Sequence, residues 1–131
     1  MKITSLNLAN NGISHEGLRL LSEGNCCRLV ELTLGNLLNI IDSNPIGDEG
    51  VEYLNAFWPL QKVSLRDTKI TEKGLEVLVQ KAEKSEEEEE GMELILKSLK
   101  WLNVRDNMIK MNTEIIEVLI RLIGPKQFLR D

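Results

Sequence analysis

Leu60-Gln61-Lys62-Val63-Ser64-Leu65-Arg66-Asp67-Thr68-Lys69-Ile70-Thr71-Glu72-Lys73-Gly74 sets out one complete unit of the chain. Apolar residues stand at Leu60, Val63, Leu65 and Ile70, a small polar residue at Thr68, and a glycine closes the unit at Gly74. The same spacing recurs. Ile3, Leu6, Leu8, Asn11, Ile13 and Gly17 form one copy, and Leu29, Leu32, Leu34, Asn44, Ile46 and Gly50 another. A last copy runs Leu99, Leu102, Val104, Asn107 and Ile109, with Thr113 in place of the glycine. Starts near 3, 29, 60 and 99 define a repeat that is stretched by insertions near 35–43 and 83–91. Recurrence at a near-fixed period points to a stacked repeat architecture.

Elementary physics gives each part of the unit a shape. Leu6-Asn7-Leu8 and Val63-Ser64-Leu65 alternate apolar and polar, as a short strand with one buried face requires. Asparagine at Asn11, Asn44 and Asn107 can bond the backbone of a stacked neighbour through its side-chain amide. Helical apolar patterns follow each glycine: Leu18, Leu20 and Leu21; Val51 and Leu54; Leu75, Val77 and Leu78. One unit cannot cover its own apolar face, so several must stack.

These motifs resemble those of the leucine-rich repeat family, and within it the ribonuclease-inhibitor-like subfamily. The resemblance runs from about Ile3 to about Ile123. It implies an α/β fold: a right-handed solenoid of about four repeats in one domain, 1–131, with a parallel concave sheet and convex helices. It also implies that the residues between the strand leucines face the concave surface.

The helices are expected over about Ser14 to Glu23, Asp48 to Phe57, Thr71 to Glu83, and Thr113 to Ile123. Ser14 is placed to cap the first, Gly24 and Asn25 to stop it, and Gly124-Pro125 to end the last. Phe57 and Trp58 read as core fillers. Lys126 to Asp131 reads as the start of a fifth strand, and neither end carries a polar capping unit. Solenoids need caps for solubility, so both ends are expected to meet a partner, a longer chain or a second copy.

The insertion holding Leu37, Leu38, Ile40 and Ile41 reads as a fold-back over the solenoid edge or as an apolar lip for a partner. Glu86 to Glu90 repel one another and read as a hydrated loop. Its alternatives are a dock for a basic partner or an acidic context for phosphorylation of Ser85.

Composition excludes several functions. A formal net charge of −5 leaves no basic surplus for general nucleic-acid binding. No apolar run is long enough for a membrane span, and Met1 to Asn7 lacks a secretory core. The adjacent Cys26 and Cys27 are poorly placed to bridge each other, which suits a reducing compartment, cytoplasmic or nuclear. His15 is the single histidine, so no histidine pair exists for metal binding or catalysis. Phosphate-cradling loops, zinc spacings and nucleophile motifs are absent, so no enzyme activity and no cofactor are expected.

The candidate site is therefore the strand face. Stacking aligns Ser5, Glu31, Lys62 and Trp101 in one column and sets Arg66 beside Arg105. Glu31, Lys62, Ser64, Arg66, Asp67, Trp101, Asn103, Arg105 and Asp106 are the expected partner contacts, with Lys100 next to them. Exposed tryptophan with arginine is the composition enriched in binding hot spots. The competing expectation is that Arg66, Asp67, Arg105 and Asp106 simply pair with one another across the sheet. The function expected is binding of a protein partner, as an interaction module or scaffold. The alternatives are a small regulator resembling the GTPase-activating proteins for the Ran GTPase, and a self-associating repeat protein.

Overall fold

The computed structural model describes residues 3–24, 29–35, 44–57, 60–79, 98–110 and 113–130. The apolar insertion at 36–43, the cysteines, Trp58 and the acidic run lie outside the described residues.

Strand β1 is Ser5–Asn7, followed by helix α1 over His15–Glu23 and strand β2 over Glu31–Thr33. Helix α2, Gly47–Val51, passes directly into a 3₁₀ segment, Glu52–Phe57. Strand β3 is Lys62–Ser64, helix α3 covers 72–79, and strand β4 is Trp101–Asn103. Helix α4, Thr113–Ile123, leads to strand β5, Phe128–Leu129. The five strands form one parallel sheet in chain order, each joined to the next through a helical segment. This is an α/β repeat arrangement.

The motif leucines make the core. Leu32, Leu34, Val63, Leu65, Leu102 and Val104 are fully buried, as are Leu18, Val51, Leu54, Leu75 and Leu119 from the helices. Leu6 of the edge strand β1 and Leu8 just after it are only half-buried, because one neighbour covers them instead of two. On α4, Ile115, Ile116, Leu119 and Ile123 are buried while Leu122 stays exposed, so its encircling apolar pattern is covered on one side. The short β5 lies at the predicted fifth strand, and its Phe128 is buried against the sheet end.

The second helix differs from its expected α form by tightening from Glu52 onward. Val51, Leu54 and Phe57 are spaced by three, and all are buried. A 3₁₀ helix has three residues per turn, so it places such a set on one stripe facing the core. Ser14 does stand at the N-cap of α1 in extended conformation, but its hydroxyl makes no capping bond. Its carbonyl accepts from the Leu18 N–H instead.

Turn asparagines tie the second unit to the first and the fourth to the third. Asn44, wholly buried, accepts from the N–H groups of Asn11 and Ile13 at 3.0 and 2.8 Å. Its Nδ2 donates to the carbonyls of Leu8 and Leu34 at 2.6 and 2.8 Å. Asn107 repeats the pattern, accepting from Thr68 and Ile70 at 2.9 and 3.2 Å and donating to Leu65 at 2.8 Å. Thr68 cannot do this, since a hydroxyl has a single proton and a shorter reach. It donates to Leu65 within its own unit. At that junction the Gly47 N–H donates to the Thr68 carbonyl, with Gly47 at φ 65°, and Ile46 folds back to Asn44.

A carboxylate seals the same junction. Asp48 of α2 accepts from the backbone N–H groups of Thr71 and Gly74 and from the Thr71 hydroxyl. It thus acts as an N-cap for α3 supplied from the neighbouring unit. The closeness explains the motif glycine, because a Cβ on Gly74 would lie 2.6 Å from Asp48 Oδ1. One unit further on, Glu72 accepts from the Lys110 N–H, and that bond holds its carboxyl below the ordinary value.

The chain reverses after its strands through left-handed residues: Asn10, Asp67 and Asp106 at φ 60°, 53° and 59°. Asn and Asp tolerate this region better than other side chains do. Lys69, at φ 62°, has no such tolerance and is exposed. Lys69→Gly should therefore stabilise the fold, by about 0.5 kcal/mol after the glycine's larger unfolded-state entropy is subtracted. Urea unfolding measures it, and a loss of stability would show that the lysine side chain outweighs its strain.

Candidate functional site

The observed register is the one that the spacing predicts. Ser5 pairs with Glu31, Glu31 with Lys62, and Lys62 with Trp101. Glu31 and Lys62 are exposed, and Trp101 is half-buried. The Lys62 ammonium lies over the Trp101 ring, 4.7 Å from its centroid. A cation there is attracted to the ring's negative face, by about 0.5–1 kcal/mol at an exposed site. The contact also holds the indole in one orientation on the strand face.

The next positions differ. Ser64 is only 6% exposed, shut between Thr33 and Asn103, so it offers a partner little surface. Asn103 is half-buried, and its Oδ1 accepts from the Arg105 N–H at 3.1 Å. Asn7 accepts from Ala9 in the same way, which identifies this position as a turn former as much as a contact.

Beyond the strands, Arg66 pairs with Asp106 of the following unit. Stacking favours the pairing of Arg66 with the residue after Arg105 because both chains turn left-handed there. Asp67, half-buried, donates its N–H to the Arg105 carbonyl at 3.1 Å. Arg105 is exposed and, among the described residues, forms no ion pair; the same holds for Lys62 and Lys100. The face therefore combines an oriented indole, one bridged arginine and three cations without a carboxylate partner among the described residues.

Gly35 shapes the floor beside Arg66. A Cβ at Gly35 would lie 2.5 Å from the Arg66 nitrogen and 2.6 Å from its carbonyl oxygen. Only glycine lets the two chains run this close. The sequence reading recognised neither this contact nor the burial of Ser64. Both depend on how the chain bends after the strand, which alternation alone does not encode.

Charges elsewhere are surface pairs. His15 lies 3.3 Å from Glu49, with both largely exposed, and Arg19 bridges Glu16 and Glu23 along α1. The Arg19 hydrogen bond, reinforced by its charge, holds the Glu16 carboxyl below its ordinary value. Among the described residues no group of three His, Cys, Asp or Glu side chains is placed to hold a metal ion. No helix among them is long and apolar enough to cross a membrane.

Comparison with curated proteins finds no match. The family model described as Leucine Rich repeat matches residues 1–22 and 40–54, which carry β1, most of α1 and the Asn44 turn with α2. That match and the five-stranded parallel sheet together support a leucine-rich repeat family for this chain.

Proposed function

We propose that the chain is a non-catalytic protein-interaction module or scaffold subunit that holds a protein partner on its strand face. Leucine-rich repeat domains generally mediate protein–protein interaction. In this reading residues 1–131 form one right-handed solenoid of about four repeats, with the sheet concave and the helices convex. The turn asparagines and the glycine-opened helices favour the ribonuclease-inhibitor-like subfamily. The adjacent Cys26 and Cys27 favour a reducing compartment for it, cytoplasmic or nuclear.

One observation carries it. Glu31, Lys62 and Trp101 stand in register as a row of outward polar and aromatic groups, where the core-facing neighbours in the same strands are leucine and valine. A sheet face needed only for solubility has no use for an indole braced by a lysine. Aromatic and arginine side chains provide most of the energy at protein interfaces.

Trp101→Ala combined with Arg105→Ala should weaken capture of the native partner from cell extract by at least about tenfold, the loss expected for hot-spot truncation. Stability should fall by no more than about 1 kcal/mol, the scale of the lost cation–π contact. Unchanged capture with a large loss of stability would assign both residues to the fold and end the proposal.

A further inference from the structure

We infer that the C-terminal half of the strand face is built for an extended acidic polypeptide segment, a conclusion that rests on the strand-face reading above. Charge on this face is polarised along the sheet. The outward positions of the first two strands and their turns hold Thr4, Ser5, Asn7 and Ala9, then Glu31, Thr33 and Gly35, with no cation among them. From β3 onward the same positions hold Lys62, Arg66, Lys100 and Arg105, with the carboxylates of Asp67 and Asp106 following in the turns.

This positive patch belongs to a chain of formal net charge −5. Of the chain's 16 lysines and arginines, four stand on this half of the face and none at the corresponding outward positions of β1 and β2. Arg66 is bridged to Asp106, which leaves Lys62, Lys100 and Arg105 as exposed cations with no carboxylate partner among the described residues. Arg105 presents a planar fork of donors suited to a carboxylate. Trp101 lies between the lysines and offers apolar area to the peptide stem. Glu31, next in the row after Lys62, repels an acidic segment and confines it to β3 and β4.

A protein occupant is favoured over nucleic acid because the patch offers only four cations and the chain, at a formal net charge of −5, has no basic surplus to neutralise a polyphosphate strand. An acidic segment of a few residues can end where the cations end.

The test uses the whole chain and a fluorescein-labelled decaglutamate peptide, with a decaglutamine peptide and a ten-nucleotide oligouridylate as comparators. Fluorescence anisotropy should show saturable binding of the glutamate peptide that weakens as salt rises. The glutamine peptide and the oligouridylate should bind at least about tenfold more weakly, a clear difference on the scale where tenfold is 1.4 kcal/mol. Lys100→Glu with Arg105→Glu should abolish peptide binding, whereas Lys73→Glu on α3 should leave it unchanged, and circular dichroism checks that both variants fold.

Equal binding of the glutamine peptide or of the oligouridylate would overturn the acidic-peptide assignment. If the glutamate peptide fails to bind while partner capture still depends on Trp101, the acidic class is wrong and the strand-face reading stands. If binding is lost in Lys73→Glu and kept in the strand-face variant, the strand face itself is wrong.

Discussion

Asn44→Ala is expected to cost about 3 kcal/mol of folding stability, among the largest single-residue effects available in this chain. The side chain is fully buried and serves four backbone groups, the N–H of Asn11 and Ile13 and the carbonyls of Leu8 and Leu34. Alanine leaves all four without that partner. Each buried polar group left unsatisfied costs about 1–3 kcal/mol, reduced where water reaches the half-buried first turn. The loss is a large part of the 5–15 kcal/mol typical of a domain.

A control sits at the same motif position. Asn11 donates only to the carbonyls of Leu8 and Ala9 in its own exposed turn. Asn11→Ala should cost less than about 1 kcal/mol, the net worth of ordinary hydrogen bonds near water. Urea unfolding of the two variants decides the matter. Equal losses would mean that the motif asparagine acts inside its own turn, and the cross-unit clamp would carry no weight.

The second large effect is expected at Gly35→Ala. The added methyl would meet the Arg66 backbone at 2.5 Å, and backbone cannot swing aside as a side chain can. Relief requires β2 and β3 to part at their C-terminal ends, where Leu34 and Gly35 both donate to the Ser64 carbonyl at 3.0 and 3.2 Å. Overpacking of this kind costs about 1–3 kcal/mol, and weakening of those bonds adds to it. A loss of about 3 kcal/mol in denaturant unfolding is the expected outcome. Stability within about 0.5 kcal/mol of wild type would show that the sheet yields there freely, within the range of ordinary surface substitutions.

Much of this was legible beforehand, for a definite reason. When a motif recurs, the alignment of its copies is also the alignment of the strands. Ser5, Glu31, Lys62 and Trp101 could therefore be placed in one row from spacing alone, and the sheet register agrees. The burial of Leu32, Val63 and Leu102 followed from alternation.

What stayed hidden were contacts that cross from one unit to the next at unequal positions. Asp48 reaching Thr71 and Arg66 reaching Asp106 join residues that no repeat template aligns. The steric need for Gly35 and Gly74 is of the same kind. The 3₁₀ turn was signalled by the spacing of Val51, Leu54 and Phe57, a period of three that reads as a helix under a looser test. Ser64 was read as outward because its parity is outward, yet flanking side chains close over it.

The substitution of Thr68 for asparagine divides the molecule's mechanics. Clamps of the Asn44 and Asn107 kind fasten the first unit to the second and the third to the fourth. Between the second and third the strand ladder continues, but at the turns the clamp is replaced by one backbone bond at Gly47 and by the carboxylate of Asp48. The protein is thus two riveted pairs joined by a latch. The latch depends on an acid where the rivets depend on amides. Removing that carboxylate, as Asp48→Ala does, loosens the middle of the sheet and spares the two pairs, placing the first crack between the N-terminal strands and the strands that bear the cations.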